Sequence, residues 1–378
     1  MNTSIELAPL QVDRVKNDPV KIETFVKLFN DFATTELIGN LKTRTEVLTV
    51  AGHSFPLTLN AAGDAQTCYI CCPSSAYIDY AIDETRNFLS KPLFRSAVRA
   101  LIKACAPLVR ASGLDHQVQV NNWLYSTNPV PLVNRETAAA IRNVLVSRYP
   151  DRAIVLRSLN EIADPVSIAG LRAEGFRMLA SRQIYIAAAL RDKRMPKHMR
   201  NDRRHLRRTS YQLVNDHEFM AADYPRCQEL YDMLYLEKYT PLNPHYTARY
   251  IGEMHQRGIL KMAGFRDASG ILVGITGLFE NGATLTQPIV GYDTTLPIQN
   301  GLYRMVMAIA QDYASERGLF FNMSAGAADF KRRRGAVPTI EYSAVYVAHL
   351  PLVRRIAVRI METMLTRVGI PLLRRFKL

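Results

Sequence analysis

Cysteine is scarce and odd in number. Five occur in 378 residues, with Cys68, Cys71 and Cys72 bunched together, which excludes a disulfide-stapled framework and fits a reducing compartment. The bunch does not make a metal site: a tetrahedral site needs a second Cys or His pair, and the nearest histidines, His53 and His116, do not form one. In the apolar setting Cys68-Tyr-Ile-Cys-Cys72 the thiols read as small strand residues, and no metal is expected. Long hydrophobic runs are lacking too. Nowhere do eighteen apolar residues follow one another, and the N-terminal MNTSIELAPLQVDRVKNDPVK has no charged segment followed by an apolar run. Neither a spanning helix nor a leader is expected, and the chain reads as cytoplasmic. Acidic residues are outnumbered, 34 Asp and Glu against 48 Lys and Arg, for a formal charge of +14.

What is present is an ordinary globular composition, 48% hydrophobic and 22% charged, which leaves no room for a large disordered region. At about 150 residues per domain, the length suggests two domains. The charge is unevenly placed. Residues 191–208 carry nine Lys and Arg against Asp192 and Asp202, and residues 351–378 carry seven against Glu362. These two stretches hold nearly the whole positive surplus, so the basicity needs two local explanations.

Alternating segments at 45–50 and 68–72, separated by the turn-like Ala62-Gly63-Asp64, predict strands. Helical spacing over 83–112, interrupted by Pro92 and Pro107 and closed at Gly113, predicts two or three helical pieces. Strands at 118–126, 153–159 and 177–187 then alternate with helices at 135–148 and 165–174. The second half repeats the theme, with helices at 224–239, 244–257 and 301–317 and strands at 260–266, 271–280, 283–292, 320–324 and 341–348. This alternation predicts an α/β layered fold, mixed central sheets flanked by helices. We draw a first domain at 1–190, shaping the acceptor pocket, a second at 191–350 opened by the basic segment, and a basic amphipathic helix at 351–378. In that last piece Val353, Ile356, Ile360, Met364 and Val368 recur at helical spacing, with Arg354, Arg355, Arg359 and Arg367 on other faces. Such a helix docks on the second domain or lies on an anionic membrane surface as a peripheral contact.

Several motifs carry a resemblance. Leu171-Arg-Ala-Glu-Gly-Phe176 is similar to the late helix and strand of the GNAT (acyl-CoA N-acyltransferase) fold. Gly291-Tyr-Asp293, then Asn300-Gly301 opening a helix, then Phe330-Lys-Arg-Arg-Arg-Gly335 before the last strand, resemble the FemAB-like branch, including BioF2-like acetyltransferase domains. Met199-Arg-Asn-Asp-Arg-Arg-His-Leu-Arg-Arg208 resembles the basic helix that often opens the second domain in that group. The likeness covers roughly residues 150–350. It implies two tandem GNAT-like domains and an N-acyltransferase that moves an acyl group from a thioester, acyl-CoA or a carrier protein, to the amine of a small molecule. In Fem-type relatives the donor is aminoacyl-tRNA, and that alternative stays open. So does a non-catalytic basic module for nucleic acid or membrane.

Acyl transfer needs a neutral amine, a stabilised oxyanion and a grip on the donor. In GNAT relatives the pyrophosphate of coenzyme A rests on backbone N–H groups at a helix start, and Gln299, Asn300, Gly301, Leu302 and Arg304 stand at such a start. The Gly- and Arg-rich phosphate loop of ordinary acetyltransferases is missing from Leu296-Pro-Ile-Gln-Asn-Gly-Leu-Tyr-Arg304, and a glycine there is also a common cap. The resemblance places Phe330 and Lys331 near the reacting ester, with Lys331 donating to the oxyanion or neutralising a donor phosphate. Four successive cations from Lys331 to Arg334 repel one another unless an anion sits opposite; Arg332, with Arg200 and Arg204 of the basic helix, is assigned to phosphate. Asp293 and Glu341 are candidate acceptors of the amine proton, and Tyr342 and Tyr303 candidate acids toward a leaving thiolate, although turn bonding and packing explain such residues too.

Overall fold

The structure, a computed structural model, describes residues 17–60, 68–88, 92–188 and 195–376. The Ala62-Gly63-Asp64 turn and residues 191–194 of the basic stretch lie outside the described residues. The first half runs α1 (Pro19–Asp31), α2 (Thr34–Leu37), β1 (Arg44–Val50), β2 (His53–Asn60), a π-helical turn (Ser75–Tyr80), α3 (Ala81–Phe88), α4 (Pro92–Ala111), β3 (Gln117–Val120), α5 (Arg135–Arg148), β4 (Ala153–Asn160), α6 (Pro165–Ala173) and β5 (Arg177–Ala187). The second runs α7 (Lys197–Arg208), β6 (Gln212–Val214), α8 (Tyr224–Asp232), α9 (Ala248–Gln256), β7 (Lys261–Arg266), β8 (Leu272–Asn281), β9 (Thr284–Tyr292), α10 (Leu302–Arg317), β10 (Phe320–Asn322), α11 (Ala328–Arg332) and β11 (Val337–Tyr346). After it come α12 (Leu352–Met364), a π-helical turn (Leu365–Gly369) and α13 (Ile370–Phe376).

All eleven strands join in one mixed sheet, ordered β1-β2-β3-β4-β11-β5-β10-β9-β8-β7-β6. The division drawn near residue 190 therefore does not separate two sheets. β11, placed by sequence in the second domain, lies between β4 and β5, antiparallel to both, and β5 in return pairs antiparallel with β10. Both halves contain the same run of elements, β3-α5-β4-α6-β5 and β9-α10-β10-α11-β11, and in each the first two strands are parallel. The halves exchange their last strands across the central β5–β11 pair. Exchange satisfies the backbone groups that a lone parallel pair would leave open at its edge.

Local differences from the expected pattern have physical causes. Residues 68–72 form a buried turn, not a strand: the Gln119 and Gln117 amides donate to the Ile70 and Cys71 carbonyls and Arg157 donates to Ile70, taking the place of a neighbouring strand. The strand expected at 118–126 stops at Val120, because Asn121 and Leu124 both adopt a left-handed backbone with φ 58°. Pro107 stays inside α4. The run from Lys331 to Arg334 begins in the short helix α11. The C-terminal segment docks over β5 and against α4 of the first half, and its Val358, Met361 and Ile370 join apolar clusters that also contain β11 residues. It buries Ala357, Val358 and Met361, whereas Val353, Ile356 and Ile360 of the expected apolar stripe stay exposed.

Candidate active site at the seam of the two halves

α11 turns Lys331 inward, where only 3% of it is exposed. Its Nζ donates to the carbonyls of Ser324 and Ala325, at 3.1 and 2.6 Å, and lies 5.7 Å from the centre of the Tyr185 ring. Among the described residues no carboxylate pairs with it. Burial lowers its pKa to about 7, and the charge on Arg182 pushes the same way. A lysine so placed shifts readily between ammonium and amine near neutrality.

The four cations divide. Arg332 and Arg333 face solvent, while Arg334 is buried, its Nε 2.5 Å from Asp202 and its guanidinium 3.3 Å from the Phe330 ring centre. The anion that the cation run demands is thus Asp202, supplied by the basic helix α7, and it also binds Arg304 at 2.8 Å. Met199 and Asp202 are the buried residues of α7, and Arg203 reaches Asp312 of α10. Arg200 and Arg204 remain exposed and form no ion pair among the described residues.

The start of α10 is covered. Gly301 has φ 67°, a conformation that favours glycine, and a Cβ there would come within 2.5 Å of His205 Nε2. That nitrogen donates to the Asn300 carbonyl at 2.9 Å, and the Asn300 side chain donates to the Tyr211 hydroxyl at 2.7 Å. The N–H groups of Asn300 and Gly301 already bond the carbonyls of Pro297 and Ile298. Gln299 is exposed and Leu302 buried. Tyr303 packs between Phe330, at 4.9 Å, and Tyr292, at 6.0 Å, and burial raises its pKa.

Phe330, Lys331, Tyr303 and Arg304 therefore gather around α11 and the first turn of α10. Asp293 and Tyr342 do not join them. Asp293 accepts from Arg226 at 2.8 Å and from Thr295; burial alone would raise its pKa, but these bonds outweigh it and hold the carboxyl low. Tyr342 packs in the apolar cluster with Ile340, Ala344 and Ile370, on the sheet face opposite Glu341.

The central strands carry a second constellation. Arg182 of β5 binds Glu341 of β11 through Nε at 2.9 Å, and its Nη2 donates to the Ser126 carbonyl and Thr127 Oγ1, each at 2.8 Å. Thr127 Oγ1 then donates to Ser324 Oγ at 3.3 Å, and Ser324 is the residue whose carbonyl holds Lys331. Burial opposes the charge on Arg182, and the Glu341 carboxylate more than restores it, so its pKa rises. Arg182 and Glu341 line a cavity of about 100 Å³, walled also by Tyr77, Gln117, Gln119 and Arg157. Burial pushes the Tyr77 hydroxyl up to about 12. The side-chain oxygens of Gln117 and Gln119 are buried with no hydrogen-bond partner among the described residues. An unmet buried acceptor costs about 1–3 kcal/mol, so the cavity suits an occupant that brings N–H or O–H donors.

No known protein-family profile matches the chain, and no curated protein does. Solved structures do. FemX is 9% identical with a TM-score of 0.50, over 90% of this chain and 98% of that one. L-PGS from Bacillus licheniformis is 12% identical with a TM-score of 0.48, over 92% and 97%. The C-terminal domain of a putative lysylphosphatidylglycerol synthetase from Agrobacterium fabrum is 12% identical with a TM-score of 0.44, over 69% and 91%. The chain has a Fem-like fold. At 9% identity the fold is what is shared with FemX.

Sequence reading passed over Arg157, Arg182, Gln117 and Gln119. A signal existed: Arg157 interrupts the apolar run Ala153-Ile-Val-Leu156, and Gln117 and Gln119 alternate with valines in β3, and polar groups inside central strands are rarely placed without a partner.

Proposed function

We propose that the chain is a transferase that passes an acyl or aminoacyl group to an amine, with Lys331 at the acyl carbonyl and the cavity at Gln117, Gln119 and Glu341 receiving the amine. The observation that carries this reading is a buried lysine that, among the described residues, hydrogen-bonds to the carbonyls of Ser324 and Ala325 and is linked through Ser324 and Thr127 to a cavity whose Gln117 and Gln119 oxygens have no partner among those residues. The amine nitrogen attacks the acyl carbon, forming the C–N bond while the carbonyl electrons move to oxygen. The Lys331 ammonium donates to that oxyanion. Collapse breaks the bond to sulfur, or to the ribose oxygen of an ester, and the leaving atom takes a proton from Lys331. The surplus proton of the amine passes to Glu341, which restores the balance through solvent.

The donor has two readings. A thioester such as acyl-CoA must seat its pyrophosphate at a start of α10 that His205 crowds beside Gly301. An aminoacyl-tRNA is favoured by that crowding together with the exposed Arg200, Arg204 and Arg332, cations that suit a polyphosphate backbone. The test offers the full chain a panel of amines with each donor in turn and reads products by mass spectrometry. Lys331→Ala should lower transfer about 10²–10³-fold; an unchanged rate contradicts the proposal. Absence of salt-sensitive tRNA binding removes the tRNA reading, and absence of acyl-CoA binding by calorimetry removes the thioester reading.

A further inference from the structure

We propose that α4 and the α12–α13 segment together form a docking surface for an anionic lipid bilayer. The two run antiparallel. Arg354, early in α12, lies against Gly113 just past the end of α4, and Phe376 at the end of α13 packs on Phe94 in the first turn of α4 with ring centres 5.5 Å apart. Their inner residues Ala106, Val109, Val358 and Met361 join one apolar cluster against the sheet. Their outer surface carries apolar side chains left uncovered by the described residues: Leu93 is 89% exposed, Val353 68% and Leu352 61%, and Ile356 and Ile360 are exposed as well.

Cations stand among them. α4 holds Arg95, Arg99, Lys103 and Arg110 and no carboxylate, and residues 352–376 hold six arginines against the single carboxylate Glu362. Glu362 is turned inward, bonded to Arg177 and to the Met178 N–H. Apolar side chains that enter the acyl boundary, ringed by cations that meet lipid phosphates, match an anionic membrane surface. A nucleic acid would answer the charge but leave Leu, Val and Ile facing water. A second copy would set like charge against like charge. No helix of the described residues is long and apolar enough to cross a membrane, so this contact is peripheral. The other basic helix, α7, differs in kind: its Met199 is buried against the protein.

The surface is separate from the transfer chemistry, and its test needs no substrate. The full chain is floated with vesicles of phosphatidylcholine alone or with about one-third phosphatidylglycerol, a surface that attracts basic segments. We expect at least about tenfold more partition onto the anionic vesicles. Ile356→Trp should shift its emission to the blue on binding, against the constant signal of the buried Trp123. Ile356→Asp with Ile360→Asp, and Arg355→Glu with Arg359→Glu, should each lower partition about fivefold or more. Arg207→Glu with Arg208→Glu on α7 should leave it unchanged. All of these positions are exposed, so folding is preserved. Equal partition onto both vesicles, sensitivity to the α7 pair alone, RNA binding through α12 without vesicle binding, or a dimer broken by Ile356→Asp would each overturn the proposal.

Discussion

The two halves begin their crossover helices differently. α5 of the first half is closed by its own sequence: the Asn134 side chain accepts from the Thr137 N–H. α10 of the second half has no side-chain cap; it starts at left-handed Gly301 and is covered from outside by His205 of α7. The first helix start is finished locally. The second depends on an element distant in sequence, and it sits beside the cluster of Phe330, Tyr303 and Arg334. The cavity draws on both halves: Gln117 and Gln119 of the first and Glu341 of the second line it, and the side-chain oxygens of the two glutamines have no partner among the described residues. The second half adds the lysine, and the exchanged strands β5 and β11 bring these parts together.

Breaking that junction should have the largest effect. Glu341→Ala leaves Arg182 buried without its carboxylate and should cost about 3–5 kcal/mol, read by urea unfolding. A smaller loss than that of a surface pair would mean the seam does not depend on it.

Lys331→Met sharpens the comparison through pH. Lys331 has a folded pKa of about 7 against the ordinary lysine value of 10.5, so between those values the unfolded chain binds more protons and stability rises with pH. The destabilisation caused by its charge is full below about pH 7 and fades toward pH 10.5. The difference in stability between wild type and Lys331→Met should therefore shrink as pH rises through that window; a constant difference would contradict the burial of its charge.

Helix starts give the smaller effects. Gly301→Ala should cost more than the roughly 1 kcal/mol of strained backbone alone, because His205 occupies the space, and less when His205→Ala accompanies it. Asn134→Ala should cost about 1 kcal/mol by thermal unfolding, with no change in transfer. Equal behaviour at both starts would erase the distinction.

Local structure was the legible part. Residues 177–187 are recovered without shift as β5, and Gly113 adopts the left-handed backbone that suits a helix stop. The exchange of β11 into the first half was not legible, since Glu341 and Arg182 lie 159 residues apart and strand periodicity carries no information about neighbours. Residues 68–72 alternate like a strand, yet they are held by side-chain amides. The stripe of Val353, Ile356 and Ile360 showed that the last helix is amphipathic; which face the protein covers is decided by α4 and β5. Of the site, Phe330 and Lys331 were visible as a motif, while the cavity, which Lys331 reaches only through Ser324, Thr127 and Arg182, is assembled from four strands and a π-helical turn.

The most direct test of transfer at Lys331 is the pH dependence of kcat/KM for the donor, at saturating amine, in wild type and in Lys331→Arg. The wild type should lose activity on the alkaline side with an apparent pKa near 7, where the buried ammonium gives up its proton. In Lys331→Arg, which keeps its charge, that limb should vanish from the accessible range. The same alkaline limb in both enzymes would show that Lys331 is not the donor to the oxyanion.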